Sequence, residues 1–437
     1  MPTLAEWLSL QESVHPQSID MGLERVSRVA AELGIAAPAF PVITVAGTNG
    51  KGSVVAHLEA LLTALGARTG VFTSPHLMRY NERIRVAGSE ATDAELIAAF
   101  ERIEAARGAT TLTFFEYNTL AALAIFAHAQ VEVAVLEVGL GGRLDATNLV
   151  AADAAVLASV GFDHREWLGD TLELIGAEKA GIFRGHRPAV LGTPQMPASV
   201  YGAIARVGAR AVVAERDFSW QVGVTGWDYR GLALTLRSLP PSALAGAIQY
   251  RNAATAIAAL EALRLSETSL PKVRPLAARL AALNEPAVAA ALPCVRLPGR
   301  FQIIPGKVEW ILDIAHNEPA ARVLAAQLRE RSLPQSPAGA GRTFAVIGVL
   351  ADKDAAAIGA ALAGVIDRWI VCTLPGPRGT SAADLARLVP PASSIELADS
   401  VTAGCELARA QAQPGDRVVV CGSVHTVGPA LQWLRVY

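Results

Sequence analysis

Short apolar runs alternate with longer stretches of apolar residues at helical spacing along the first two-thirds of the chain. The runs Val42–Ala46, Val131–Val138, Ala154–Ser159 and Pro188–Leu191 predict strands. Alanine- and leucine-rich stretches lie between several of them, and Ser53–Leu65 predicts a helix. Strands alternating with helices imply parallel βαβ units, hence an α/β fold with a doubly wound, mainly parallel sheet. Residues from about Phe218 to Leu236 alternate differently and predict a small antiparallel insert. Leu292–Pro298 carries two prolines and predicts a linker. Beyond it, Trp310–Ile314, Phe344–Val349, Trp369–Thr373 and Val418–Cys421 predict strands of a second, Rossmann-like α/β domain. The expected division is 1–294 and 298–437.

Composition supports this picture. A chain of 437 residues exceeds one ordinary core, so two domains are expected. With 52% hydrophobic and 18% charged residues it can bury a large core, which excludes a disordered chain. A net charge of -2 without a long basic run favours neither nucleic acid nor an anionic membrane as partner. Cys294, Cys372, Cys405 and Cys421 are widely spaced and form no CxxC or Cys/His cluster. A reduced, cytoplasmic protein without structural zinc follows. The opening residues carry Glu6 and Glu12 and no basic region ahead of an apolar one, so they do not read as a signal peptide. The apolar stretch Thr119–Ala129 is too short to span a bilayer and predicts a buried helix.

Candidate chemistry begins at Ile43–Ser53, ITVAGTNGKGS. A predicted strand runs into Gly47-Thr48-Asn49-Gly50-Lys51-Gly52-Ser53, and a predicted helix follows. Glycines let backbone N–H groups converge on phosphate oxygens, the helix N-terminus adds partial positive charge, and Lys51 adds a full one. This departs from GxxxxGK[ST]: Val45 stands five before Gly50, and Gly52 follows Lys51. The loop alone predicts a nucleoside triphosphate and does not select a reaction.

Three further motifs fall at predicted strand ends. They are Thr73–Leu77 with Asn81-Glu82-Arg83, Leu136–Asn148, and Gly161–His164 followed by Glu178–Gly181. Ligands of doubly wound sheets lie outside the carboxyl ends of strands. A carboxylate at Glu137, a hydroxyl at Ser74 and an imidazole at His164 could hold divalent cations beside ATP. The imidazole is unusual for Mg²⁺, which prefers oxygen. Taken singly, His164 also reads as a capping or hydrogen-bonded histidine, Lys179 as a surface lysine and Ser74 as a turn residue. Glu137 interrupts an apolar strand, and a buried carboxylate needs partners.

The motifs AGTNGKGS, TSPHL with NERIR, TFFE at Thr113–Glu116, EVGLGGRLDATN, FDH, EKAGI, PGRFQ at Pro298–Gln302, LDIAHN at Leu312–Asn317, DKD at Asp352–Asp354 and CGSVHTV at Cys421–Val427 occur in that order. Together they resemble the folylpolyglutamate synthase/dihydrofolate synthase branch of the Mur ligase superfamily, over almost the whole chain. The family usually shows Leu where Phe162 stands and Phe where Val424 stands, and neither change removes a polar group.

The resemblance implies an ATP-dependent ligase with a P-loop-type first domain. It would add L-glutamate to dihydropteroate and to tetrahydrofolate through an acyl phosphate. Asn49, Gly50, Lys51, Gly52 and Ser53 would hold ATP phosphates, with Lys51 also catalytic. Asn252, Arg300 and Asp313 match nucleotide-contacting positions. Ser74, Glu137 and His164 match magnesium ligands at two sites, and Lys179 matches a lysine that is carbamylated. Asp20, Met21, Gly22 and Leu23, then Thr113, Phe114, Phe115 and Glu116, then Leu144, Asp145 and Ala146 match pterin-site segments. His316, as a catalytic residue, and Ser423 match the glutamate and phosphate side. A monomer is implied. Rival readings are a monofunctional folylpolyglutamate synthase, a peptidoglycan-precursor ligase of the same superfamily, and an ATP-binding switch protein without ligase chemistry. The last would have no use for Glu137, His164 and Lys179 together.

Overall fold

The computed structural model describes residues 2–17, 19–266, 270–333, 341–390 and 394–437. The chain forms two compact units. The first comprises Met1–Ala243 and Tyr250–Val295, the second Leu244–Gln249 and Arg296–Tyr437. The chain therefore passes between units three times, after Ala243, Gln249 and Val295, where the proline pattern predicted one linker. The predicted linker Leu292–Pro298 opens as a 3₁₀ turn, Leu292–Cys294, packed into the first unit.

The first unit is built on eight strands: β1 (Val42–Ala46), β2 (Thr69–Phe72), β3 (Ile84–Val86), β4 (Ser89–Glu90), β5 (Val133–Glu137), β6 (Ala154–Leu157), β7 (Pro188–Leu191) and β8 (Arg210–Val213). Their order is β4-β3-β2-β5-β1-β6-β7-β8. Pairing is parallel from β2 to β8, and β3 and β4 add an antiparallel edge. β5 is shorter at both ends than the apolar run Val131–Val138 that predicts it.

Both faces of the sheet are covered, which is why its strands read as continuous apolar runs. Ile43 and Val45 of β1 pack with Val54, Leu58 and Leu62 of the helix Lys51–Ala64. On the opposite face, Val42 packs with Leu120 and Ala124 of the helix Phe114–His128, the predicted buried helix. β1 lies where the winding reverses, between β5 and β6, so its carboxyl end opens at the switch point.

The antiparallel insert is β9 (Ser219–Val222), β10 (Trp227–Arg230) and β11 (Thr235–Leu239), reaching slightly beyond the predicted stretch. The second unit holds β12 (Gln302–Ile304), β13 (Glu309–Leu312), β14 (Thr343–Ile347), β15 (Arg368–Cys372), β16 (Ile395–Ala398) and β17 (Arg417–Cys421). Their order is β12-β13-β17-β14-β15-β16, parallel apart from the edge strand β12. No described helix is long and apolar enough to cross a membrane.

Candidate functional site

The loop after β1 carries the first group of candidates. Gly47 and Gly50 adopt φ of 155° and 86°, and Gly50 is the left-handed residue that starts the helix at Lys51. A side chain at either glycine would crowd its neighbours. A Cβ on Gly47 would stand 3.2 Å from Ser159 N, and one on Gly50 would stand 3.3 Å from Asn252 Oδ1. The loop is thus pressed against the end of β6 on one side and Asn252 on the other. Asn49 N donates to Ser159 Oγ at 3.1 Å, and Ser159 Oγ donates to Asn49 O at 2.9 Å. Thr48 Oγ1 donates to Gly161 O and accepts from Gly161 N.

Two lysines converge on this loop. Lys51 Nζ donates to Gly47 O at 2.9 Å and to Thr48 O at 3.3 Å. Lys179 Nζ reaches the same Gly47 O at 3.3 Å, across 132 residues of sequence. Lys179 is 5% exposed, so the reading of a surface lysine is overturned. Burial, reinforced by the Lys51 charge, brings its ammonium down to about 7, against the opposing pull of Asp163 and Asp145. The neutral amine is therefore abundant at neutral pH.

The acidic candidates lie at neighbouring strand ends. Glu137 is the last residue of β5 and is 4% exposed. Its Oε2 accepts the backbone N–H of Ser74 at 3.2 Å, which brings the loop after β2 to it. Two arginines add positive charge near Glu137. Arg83 is buried, and its Nε donates to His76 Nδ1 at 2.8 Å. Arg85 is bound to Glu59 at 2.7 Å. His164 is left-handed, with φ of 49°, and starts the short helix Arg165–Leu168 without a side-chain cap. His164 therefore does not cap the helix through its side chain, and its reading as a hydrogen-bonded histidine is untouched by this. Its Nε2 lies 3.9 Å from Asp163 Oδ1. Among the described residues, no three His, Cys, Asp or Glu side chains form a metal cluster by themselves. Any cation here would need hydroxyl, backbone or substrate oxygens to complete its shell.

Three distant segments meet nearby. Arg25 donates to Asp20 Oδ2 at 2.6 Å and to Glu116 Oε1 at 3.3 Å. Glu116 in turn accepts Thr113 N at 2.7 Å, capping the helix Phe114–His128. Phe115 lies under Gly139, where a Cβ would stand 2.6 Å from its ring. A Cβ on Gly141 would stand 3.6 Å from Met21 Cε. Phe114 lies 5.5 Å from the Arg83 guanidinium. Asp145 is buried at the end of the same loop, accepting Leu140 N at 2.8 Å and Thr147 Oγ1 at 2.6 Å. Burial raises its pKa, against those hydrogen bonds. Met21, Phe115 and the loop Gly139–Ala146 thus form one neighbourhood, and Gly22, Leu23 and Leu144 lie on its segments.

In the second unit, Asp313 follows β13 and is partly buried. Its carboxylate accepts Phe301 N and Ala315 N, both at 2.8 Å. Burial raises its pKa, and Arg300 opposes the rise. His316 Nδ1 lies 2.9 Å from Ile314 O. Gly422 N donates to Ala315 O at 3.0 Å, so the loop leading to Ser423 adjoins the one carrying His316. Ser423 caps the helix Val424–Leu434 through His425 N at 3.1 Å.

A Mur ligase middle-domain model matches residues 45–194, and a Mur ligase glutamate-ligase-domain model matches 299–424. The chain is 44% identical to the dihydrofolate synthase/folylpolyglutamate synthase of Escherichia coli K12 over 98% of this chain and 95% of that one. The chain belongs to the dihydrofolate synthase/folylpolyglutamate synthase family. It is an ATP-dependent ligase of the folate pathway that attaches glutamate. Among solved structures, E. coli FolC in complex with DHPP and ADP aligns with a TM-score of 0.90 at 43% identity, covering 99% of this chain and 98% of that one. A bifunctional folylpolyglutamate synthase/dihydrofolate synthase with Mn, AMPPNP and L-glutamate bound gives 0.87 at 41%, covering 100% and 99%.

Sequence reasoning for this dihydrofolate synthase/folylpolyglutamate synthase chain did not select Arg25, Arg83, Arg85, Thr48 or Ser159. Arg83 and Arg85 stand inside NERIR, and Arg25 lies two residues past Leu23. Their motifs were visible, but their partners are tens of residues away. Only folding shows that Arg25 joins Asp20 to Glu116.

Proposed function

We propose that this ligase adds L-glutamate both to dihydropteroate, giving dihydrofolate, and to tetrahydrofolate, giving γ-linked polyglutamates. The observation that carries the reading is the convergence of Met21, Phe115 and the loop Gly139–Asp145 beside Glu137 and the phosphate loop. Aromatic and apolar groups there suit a flat pterin and its aryl arm. Two buried carboxylates on these segments, Glu116 and Asp145, suit its hydrogen-bond donors. The relatives' bound DHPP, AMPPNP, Mn and L-glutamate support the same substrates for this chain.

A carboxylate resists amine attack because oxide is a poor leaving group. Transfer of the ATP γ-phosphoryl to the carboxylate gives an acyl phosphate and ADP. The glutamate amine attacks the acyl carbon, and the tetrahedral intermediate collapses to an amide and phosphate. Protein work in the first step is positioning and charge stabilisation. The amides of Asn49–Ser53 and Lys51 would meet the phosphates, and Asn252 flanks the loop. Arg83, between Phe114 and Glu137, is placed to oppose charge building on the carboxylate. Arg300 and Asp313 would contact the nucleotide, and His316 and Ser423 would serve the glutamate and phosphate side.

The carboxylate of Glu137 and the hydroxyl of Ser74 are hard oxygen donors that fit Mg²⁺, with His164 at a second position. A bound Mg²⁺ supplies charge neutralisation on phosphate oxygens. Lys179 would join this set as a carbamate: its neutral amine adds CO₂ and loses a proton, turning a cation into an anionic oxygen ligand. Its burial and lowered pKa support that step. The reading is completed by a cytoplasmic monomer without nucleic-acid or membrane partners. Residues 1–294 would serve ATP and pterin, and 298–437 would be the C-terminal ligase domain.

The deciding experiment offers purified protein, ATP, Mg²⁺ and glutamate with dihydropteroate and tetrahydrofolate in parallel, resolving products by mass. One glutamate added to each is the expected result. Addition to tetrahydrofolate alone would reduce the protein to a monofunctional folylpolyglutamate synthase.

A further inference from the structure

His57 takes no part in the chemistry above, yet its surroundings are highly specified. It lies in the helix Lys51–Ala64 with no exposed surface. Nδ1 is 2.7 Å from Ser53 O, and Nε2 is 2.9 Å from Ser242 Oγ. A carbonyl only accepts, so Nδ1 carries the proton and Nε2 accepts from the Ser242 hydroxyl. Tautomer and ring orientation are both set.

The two partners stand at consequential places. Ser53 belongs to the first turn of the helix behind the phosphate loop. Ser242 stands one residue before Ala243, after which the chain passes into the second unit. Ala243 N donates to Leu292 O at 3.0 Å, and Val295 ends the first unit's later segment. Leu292 also packs into the core that holds Val54 and Leu58 of the phosphate-loop helix. One imidazole therefore joins that helix to both departing segments through Ser242, Ala243 and Leu292.

We infer that His57 is a positioning residue of the ligase reaction, locking the phosphate-loop helix to the two segments by which the chain leaves the first unit. Nucleotide phosphates held on the loop amides load the first turn of the helix. The His57–Ser242 hydrogen bond passes that load to Ser242–Ala243 and Leu292–Val295, ordering them when nucleotide binds. Any buried imidazole needs partners for its ring nitrogens. What distinguishes His57 is where its partners stand, one in the first turn of the helix and one at the exit from the first unit. The inference rests on Gly47–Ser53 being the phosphate cradle. AMPPNP affinity is therefore measured separately, and absence of binding to the wild type would indict that reading alone.

The test is amide hydrogen exchange on the full chain, with and without AMPPNP and Mg²⁺, alongside steady-state kinetics. In the wild type, AMPPNP raises protection at 242–249 and 292–296. In His57→Phe and in Ser242→Ala, AMPPNP affinity stays within about threefold, the gain in protection disappears, and kcat falls about tenfold. The double variant is no slower than His57→Phe alone, because both changes break one link. Ser242→Thr keeps the hydroxyl and restores both readouts. Persistence of the protection gain, an unchanged kcat, or costs that multiply in the double variant would each overturn the inference. Ser242→Ala removes a single oxygen and decides the matter even if His57→Phe does not fold.

Discussion

At the residue scale, the most informative side chain is Lys179. Burial and the Lys51 charge bring this amine down to about 7, which favours the neutral form that adds CO₂ far more than in an exposed lysine. Lys179→Ala is expected to lower kcat by about a hundredfold or more, and a short carboxylate added to the variant to restore part of it. Full activity in CO₂-free buffer and in the variant would remove the carbamate. His57 makes a second prediction. Its pKa falls from 6.5 to about 4 because burial disfavours the charged ring, while the Ser53 carbonyl opposes the fall. The folded-state pKa is the lower one, so the unfolded chain binds more protons between those values. The contribution of His57 is complete above pH 6.5 and is lost as pH drops toward 4, by on the order of 3 kcal/mol. Urea unfolding of wild type and His57→Phe across that range checks it: the difference between them should narrow as pH falls.

At the scale of elements, the candidate site depends on how closely loops can approach. A Cβ on Gly142 would stand 2.8 Å from Lys179 O and 2.9 Å from Glu178 O, both main-chain atoms that cannot swing aside. Arg143 N also donates to Glu178 O at 2.9 Å, binding this loop to the end of the helix Leu172–Lys179. Gly142→Ala should therefore displace Lys179 relative to Gly47, at about 1–3 kcal/mol of stability. Activity should fall further than thermal unfolding predicts, with kcat more affected than the melting temperature. Equal activity at an unchanged melting temperature would show that the two loops have room.

For the whole molecule, ligand linkage gives a direct check on the proposed nucleotide and cation. AMPPNP with Mg²⁺ at a hundred times its Kd should add about 2.7 kcal/mol to stability. Part of that gain should vanish when a chelator is added, and Glu137→Gln should show the smaller gain without chelator. Calorimetric or fluorescence melting reads both. A gain independent of metal would leave the phosphate loop in place and remove the cation role of Glu137.

Much of this was legible before folding, and for physical reasons. Sheets buried on both faces force unbroken apolar strands, so β1, β6 and β7 could be read nearly to their ends. A phosphate cradle needs glycine at positive φ beside a helix start, so the loop Gly47–Ser53 announced itself. The ordered motifs carried the ligase family, because their residues are demanded by chemistry rather than by packing.

Other features depend on contacts that no local pattern encodes. Lys179 reads as a surface residue until the helix Leu172–Lys179 is laid against Gly47. Arg25 is one arginine among many until it bridges Asp20 and Glu116. The second unit takes Leu244–Gln249 from the middle of the chain, and although Pro240-Pro241 and Gly246 stand there, nothing local says that these six residues pack with another unit. The sequence by itself determined the α/β class and the family, since the first rests on periodic burial and the second on ordered motifs. The tertiary structure alone decided which charges share the switch point of the sheet, which lysine is buried there, and that His57 lies between Ser53 and Ser242. Those depend on distance through space and on exclusion of water, and neither is a property of neighbouring letters.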